Sequence, residues 1–452
     1  MSAKFVVFED HSWANFRPLC LSIPTYELRM GMFNTRERVE LVVGQSGVSD
    51  IPGILLCRDI MAPLHTCENW NINPETLVDN EDGYIWLNGR SSTDFSNLHK
   101  SLTSGADKVI IDDHGLVAAH LSSENSIKLF KHWVQWKNET FPSKNMDAFN
   151  SLEVLDLSPS EKSPFSALGY IWDLVPATAD ILDDDLKFLS TDQEFSRHPF
   201  GLFAENKSEK PIWDQPTVLR EAVDFPDLRD RLTNKGKGVW LGDDVHLAVG
   251  AALDTSKGPI ILDNNVEVMP HCFLEGPLYA GPGCRFKAGS TIYGESSFGI
   301  GNRLSGEIGE STFGDFANKQ HDGFIGHAVL GSWTNLGAMT TCSDLKNNYG
   351  NVRVDIGSGQ IDSRLRFVGL LMGDHVKTAI GTLFNTGTTV GFASNIFGGV
   401  MPPKFVGSFS WGGMPDDPAY DVEKALETAV IVMGRRGCRM TEEAKSLIRS
   451  LA

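Results

Sequence analysis

The chain has 452 residues, 41% of them apolar and 22% charged, which excludes a disordered or membrane-embedded protein and leads to an expectation of two domains. Its formal charge of -18, from 58 acidic against 40 basic residues, excludes a nucleic-acid partner, whose binding rests on dense Lys and Arg. Small anionic ligands need only a few cations or backbone N–H groups and remain open. The start, MSAKFVVFED, lacks the basic-then-apolar layout of a signal peptide, and no apolar run approaches a membrane span. A cytoplasmic protein is expected. Seven cysteines, odd in number and without a CxxC pair, predict neither a disulfide framework nor a zinc site.

Residues 1–215 alternate short apolar runs with helix-like stretches. Strands are expected at Lys4–Glu9, Arg38–Val43, Gly53–Cys57, Tyr84–Leu87 and Lys108–Ile111, and helices at Ile127–Lys137 and Ile171–Leu182. That interleaving predicts an α/β domain. Residues 216–237 read as a connecting helix or arm ended by GKG.

From 238 to 414 the pattern changes to a hexad. Leu262, Val268, Leu274, Ala280, Phe286, Ile292, Phe298 and Leu304 recur every six residues. A phase slip follows, then Phe313, Ile325 and Leu336, and the spacing returns with Met372, Thr378, Phe384, Val390 and Ile396. About 31 of the 44 glycines lie between Gly238 and Gly413, far above the usual share of roughly 7%. Neither the helical period nor simple alternation repeats every six residues. A parallel β-helix does: each flat strand presents one inward apolar residue and small residues turn the corners. Residues 415–452 have helical spacing, with Thr441 before Glu442 and Glu443 as a helix start.

The string NKQHDGFIGHAVLGSWTNLGAMTT, Asn318–Thr341, carries chemistry-bearing types in close order. It resembles, without a gap, the acetyltransferase segment of the bifunctional N-acetylglucosamine-1-phosphate uridylyltransferase/glucosamine-1-phosphate N-acetyltransferase family. The strings LKNNYG, LLMGDHVKTAIGTLFNTGTTVG and FVGSFSWGG, with PLCLSIPTYELRMGMFNTRERVE, WLNGR and YIWDLV upstream, resemble a divergent bacterial branch of that family. The resemblance implies a nucleotidyltransferase-like α/β domain followed by a left-handed β-helix that forms a homotrimer. It implies acetyl-CoA-dependent N-acetylation of an amino sugar-1-phosphate, coupled to nucleotidyl transfer from UTP with Mg²⁺.

Residue by residue, the resemblance puts His321 on the general base, Phe324 and Asn335 on sugar contacts, and Ala338 beside the thioester. Asn348 and Tyr349 fall near the CoA arm, Lys287 stands where the family has an arginine for phosphate, and His375 is a further candidate ligand contact. His327 reads as a surface or inter-subunit residue. The N-terminal half departs from the family. DHSWANFRPLCLSIP follows the first strand where a glycine-rich loop with Arg and Lys is expected, and Asn88-Gly89-Arg90 stands where a carboxylate would hold Mg²⁺. Arg29 and Arg90 are then the best candidates for phosphate contact, with Arg17 and Arg36 as further cations. Asp112-Asp113 reads mainly as a strand end, and the metal ligands are unassigned. Two alternatives stay open: a nucleotidyltransferase whose β-helix serves assembly or regulation, and a trimeric scaffold.

Overall fold

Apolar runs covered on both faces form the middle of a mixed seven-stranded sheet. The computed structural model describes residues 3–45, 53–65, 70–92, 107–137, 153–156, 167–189, 194–195, 215–221 and 238–452. They fall into two units: Met1–Phe16, Ile23–Leu28 and Phe33–Tyr170 in the first, Arg17–Ser22, Arg29–Met32 and Ile171–Ala452 in the second.

The first unit carries β1 (Lys4–Phe8), β2 (Gly53–Leu56), β3 (Trp70–Ile72), β4 (Tyr84–Asn88), β5 (Lys108–Asp112), β6 (Gly115–Leu121) and β7 (Glu153–Asp156). Their order is β3-β2-β1-β4-β6-β5-β7, with β1 parallel to β2 and β4, and β6 antiparallel to β4 and β5. One face packs Val6, Phe8, Tyr84 and Trp86 against Leu129, Phe130 and Trp133 of the helix Ser123–Trp136.

The strand expected at Arg38–Val43 is instead the helix Thr35–Gln45. Asn34 and Glu37 form a reciprocal capping box: Asn34 Oδ1 accepts from Glu37 N at 2.8 Å, and Glu37 Oε2 accepts from Asn34 N at 3.0 Å. Val39 and Val42, three apart, are buried, so the apolar spacing was helical. The arm expected to begin at 216 opens as short strands, Thr217–Val218 and Arg220–Glu221, and its remainder lies outside the described residues.

The second unit is a left-handed parallel β-helix. Its longest face stacks Val239–Leu241, Ile260–Leu262, Leu278–Ala280, Ser296–Phe298, Thr312–Phe313, Val329–Leu330, Leu371–Met372, Thr389–Val390 and Phe405–Val406 in parallel. Leu262, Val268, Leu274, Ala280, Phe286, Ile292, Phe298 and Leu304 all lie in one core running up its axis. Corners take left-handed backbone, at Asn265 (φ 59), Gly283 (φ 68) and Gly301 (φ 65) for example, which is why small residues gather there. The helix Leu174–Phe188 also packs with this unit, ahead of the boundary expected at 215.

Two faces of the solenoid are cut short. Leu304 to Ile308 is four residues and Ile308 to Phe313 five, and this is the phase slip seen in the sequence. The hexad then resumes through Phe313, Lys319 and Ile325, with Lys319 pairing in register with Leu304. The true interruption comes later, between Cys342 and Leu371, where a hairpin of Arg353–Asp355 and Gln360–Asp362 is inserted. Two helices close the chain, Val422–Gly434 and Glu442–Ser450, and the second is capped by Thr441, whose side chain accepts from Ala444 N at 3.0 Å.

Candidate functional sites

The shortened corner opens a cleft. Lys287-Ala288, Ser305-Gly306 and Gln320-His321-Asp322-Gly323 follow equivalent strands of three successive coils. The middle corner has two residues fewer than its neighbours, so space remains above Ser305, between Lys287 and His321. The resulting cleft, about 350 Å³, is lined by Met269, Lys287, Ala288, Ser305, Gln320, His321, Asp322, Ala338 and Met339.

The structure thus brings together three residues singled out from sequence: Lys287, His321 and Ala338. The His321 side chain is exposed and makes no hydrogen bond among the described residues. The N–H of Ala338 likewise donates to no group among them. A cation, a free imidazole and an unengaged backbone donor are a set suited to an anionic amine substrate and a developing oxyanion. Asn335 stands one relay away: Gln320 Nε2 donates to Asn318 Oδ1 at 2.9 Å, and Asn318 Nδ2 donates to Asn335 Oδ1 at 2.5 Å. Phe324 begins the following strand, half-buried and outside the cleft lining. Asn348 and Tyr349 are exposed in the inserted segment, Tyr349 with a left-handed φ of 56.

Ser305, Gln320 and Asp322 were missed by sequence reasoning, although the shortened spacing after Leu304 was their signal. Lys319 was missed because its hexad position calls for an apolar residue. It is 2% exposed, and burial brings its pKa down to about 8, opposed by Asp322. His327, expected at the surface or between subunits, is half-buried between Glu310 (3.2 Å) and Asp344 (2.8 Å).

His375 is absent from the cleft lining. It is 2% exposed within an aromatic ladder, parallel to Trp333 at 6.2 Å and edge-on to Phe392 at 5.9 Å, and does not reach the cleft. Neither ring nitrogen has a hydrogen-bond partner among the described residues. Burial, then the charge of Lys377, pushes its pKa well below the ordinary 6.5, so the folded protein holds it neutral. The unfolded chain binds the extra proton, so stability falls as pH drops below 6.5. His375→Phe should therefore raise the melting temperature at neutral pH, and more so in acid. Melting curves across that range check it; a gain that does not grow toward acid pH counts against this account.

In the first unit, the order β3-β2-β1-β4 puts a topological switch point at the carboxyl ends of β1 and β4, where open α/β sheets bind ligands. After β1 this unit carries short 3-10 turns, His11–Phe16 and Thr25–Glu27, rather than a glycine cradle. Glu9 pins the second turn, accepting from Thr25 N at 3.0 Å and pairing with Arg58. After β4, Gly89 passes so close to the chain that a Cβ would sit 2.5 Å from Tyr26 N.

Arg90 has no solvent exposure. Its guanidinium forks onto both oxygens of Asp112, at 3.0 and 3.2 Å, and lies 3.5 Å from Asp10, which also accepts from Asn88 Nδ2 at 2.7 Å. Arg29, in the second unit, pairs with Asp315 at 3.1 Å and donates to Met32 O, and Arg36 pairs with Glu27 and Glu40. The two candidate phosphate ligands, Arg29 and Arg90, and the further cation Arg36 are each engaged by carboxylate. The implied Mg²⁺ does not fit at Asp10 and Asp112 as they stand, because the Arg90 guanidinium bridges them.

No helix among the described residues is long and apolar enough to cross a membrane. Residues 5–194 match the family model described as sugar nucleotidyl transferase. The chain is 27% identical over 157 residues to a bifunctional sugar-1-phosphate nucleotidylyltransferase/acetyltransferase of Sulfurisphaera tokodaii, covering 33% of this chain and 38% of that protein. It is 33% identical over 101 residues to the bifunctional protein GlmU of Methanocaldococcus jannaschii, covering 22% and 24%. The matches thus span less than two fifths of either relative. Residues 5–194 thus match a sugar nucleotidyl transferase model, and a β-helix follows them, so the chain is similar over part of its length to bifunctional sugar-1-phosphate nucleotidylyltransferase/acetyltransferases.

Proposed function

We propose that the protein is a cytoplasmic acetyltransferase that moves an acetyl group from acetyl-CoA to the amine of an amino sugar-1-phosphate, with glucosamine-1-phosphate as the first candidate. The observation that carries the reading is the cleft in which Lys287, His321 and Ala338 meet. Lys287 anchors the phosphate. The His321 imidazole takes the proton of the sugar ammonium, near whose working pH a neutral imidazole is suited to accept it. The amine then attacks the thioester carbonyl, the Ala338 N–H holds the oxyanion, and the C–S bond breaks as CoA thiolate leaves. Met339 is more than half exposed at the cleft rim, which fits a homotrimer in which a neighbouring copy covers it.

Residues 1–215 would supply the second activity, nucleotidyl transfer from a nucleoside triphosphate such as UTP to the sugar phosphate. The name of the matched family supports this, and no step is assigned to Mg²⁺ at the Asp10–Asp112 pair. A thiol-release assay with acetyl-CoA and a panel of amino sugar-1-phosphates tests the main reading. Failure to bind acetyl-CoA in calorimetry would favour a nucleotidyltransferase whose β-helix serves assembly. Lys287→Met should raise KM for the sugar phosphate roughly 10- to 100-fold, the weight of a charge-assisted hydrogen bond, and leave KM for acetyl-CoA near native.

A further inference from the structure

We propose that Lys319 is a positioning residue that locks the His321 corner onto the floor of the cleft, an inference that rests on His321 acting as base. Lys319 occupies an inward site of the solenoid, in register with Leu304 and between Phe313 and Ile325 along the chain. An apolar residue there would extend the core, and a buried amine is unfavourable unless something requires it. Its Nζ donates to Ser305 O at 2.9 Å and to His321 O at 2.8 Å. Ser305 and His321 line the same cleft from successive coils. One amine therefore ties the shortened corner below to the backbone of the base above.

The fit leaves little slack. A Cβ on Gly306 would meet Nζ at 2.8 Å, and Gly306 holds a left-handed φ of 75. A neutral amine still carries two N–H donors, enough for both carbonyls, so the clip does not depend on the charge. Lys319 contacts the backbone of the base through His321 O and is not among the residues that line the cleft.

The test replaces Lys319 by methionine in the full chain, which keeps the stem and removes the donors. Lys319→Met should lower kcat roughly 10- to 100-fold, with both KM values near native and a melting temperature equal or higher. Added to His321→Ala, it should change the residual rate no further, since Lys319 acts through that residue. Lys319→Gln, which keeps a donor, should fall between native and Lys319→Met. Native kcat in Lys319→Met beside an inactive His321→Ala would overturn the inference and leave the base assignment standing, as would equal slowing in both backgrounds. Full activity in His321→Ala would instead overturn the assignment on which it rests.

Discussion

His321→Ala is expected to lower acetyl transfer about 10²- to 10⁴-fold, the span a positioned general base contributes, while acetyl-CoA still binds. The expectation follows from geometry. The imidazole stands on a four-residue corner above a two-residue one, opposite Lys287, with no hydrogen bond among the described residues to hold it back. Loss of the ring removes the proton acceptor and leaves the phosphate anchor and the Ala338 N–H, so kcat should fall far more than KM rises. Raising the pH should restore part of the rate, because more of the sugar amine is then already unprotonated. Full acetyl transfer in the variant, with no change in pH profile, would remove His321 from the mechanism.

Arg90→Ala should destabilise the protein by about 3–5 kcal/mol, as expected when one side of a buried ion pair is deleted. Asp112 and Asp10 would lose the guanidinium that joins them, and Leu168 O would lose a donor at 3.3 Å. Arg90→Lys should recover part of the loss, keeping the charge without the fork. Added Mg²⁺ gives the sharper result. If the arginine fills the place of a cation, Mg²⁺ should raise the melting temperature of Arg90→Ala more than that of the native protein. A native stabilisation by Mg²⁺ that disappears in Asp112→Asn would show that the carboxylates take metal with Arg90 in place.

The solenoid was legible because its corners and its core impose opposite demands at fixed spacing, and Leu262 through Leu304 obey both. The cleft was half legible. The phase slip after Leu304 was visible, but reading a shortened corner as a cleft requires knowing that the strands on either side stay stacked. Lys319 was hidden by the same rule that revealed the fold, since a lysine at an inward position looks like an interruption of the pattern. Arg38–Val43 misled because valines with alternating charges suit a strand, and only the capping box of Asn34 and Glu37 decides otherwise. For Arg90 and His375 a charged or titratable residue in a conspicuous motif suggests ligand, and the burial shows only in three-dimensional partners, Asp10 and Asp112 or Trp333 and Phe392.

Two short pieces of the N-terminal stretch, Arg17–Ser22 and Arg29–Met32, belong to the β-helix unit. Ser22 donates to the buried carboxylate of Asp374 at 2.6 Å, Arg29 pairs with Asp315, and Gly31 O accepts from Ser297 Oγ at 2.6 Å. No single scissile point in the chain therefore releases an intact solenoid. A gene encoding only residues 238–452 would translate into a coil stack missing part of its own wall, with Asp374 and Asp315 stripped of those neighbours. Shuffling of such halves between proteins is correspondingly constrained: the β-helix keeps these neighbours only together with the stretch that precedes it.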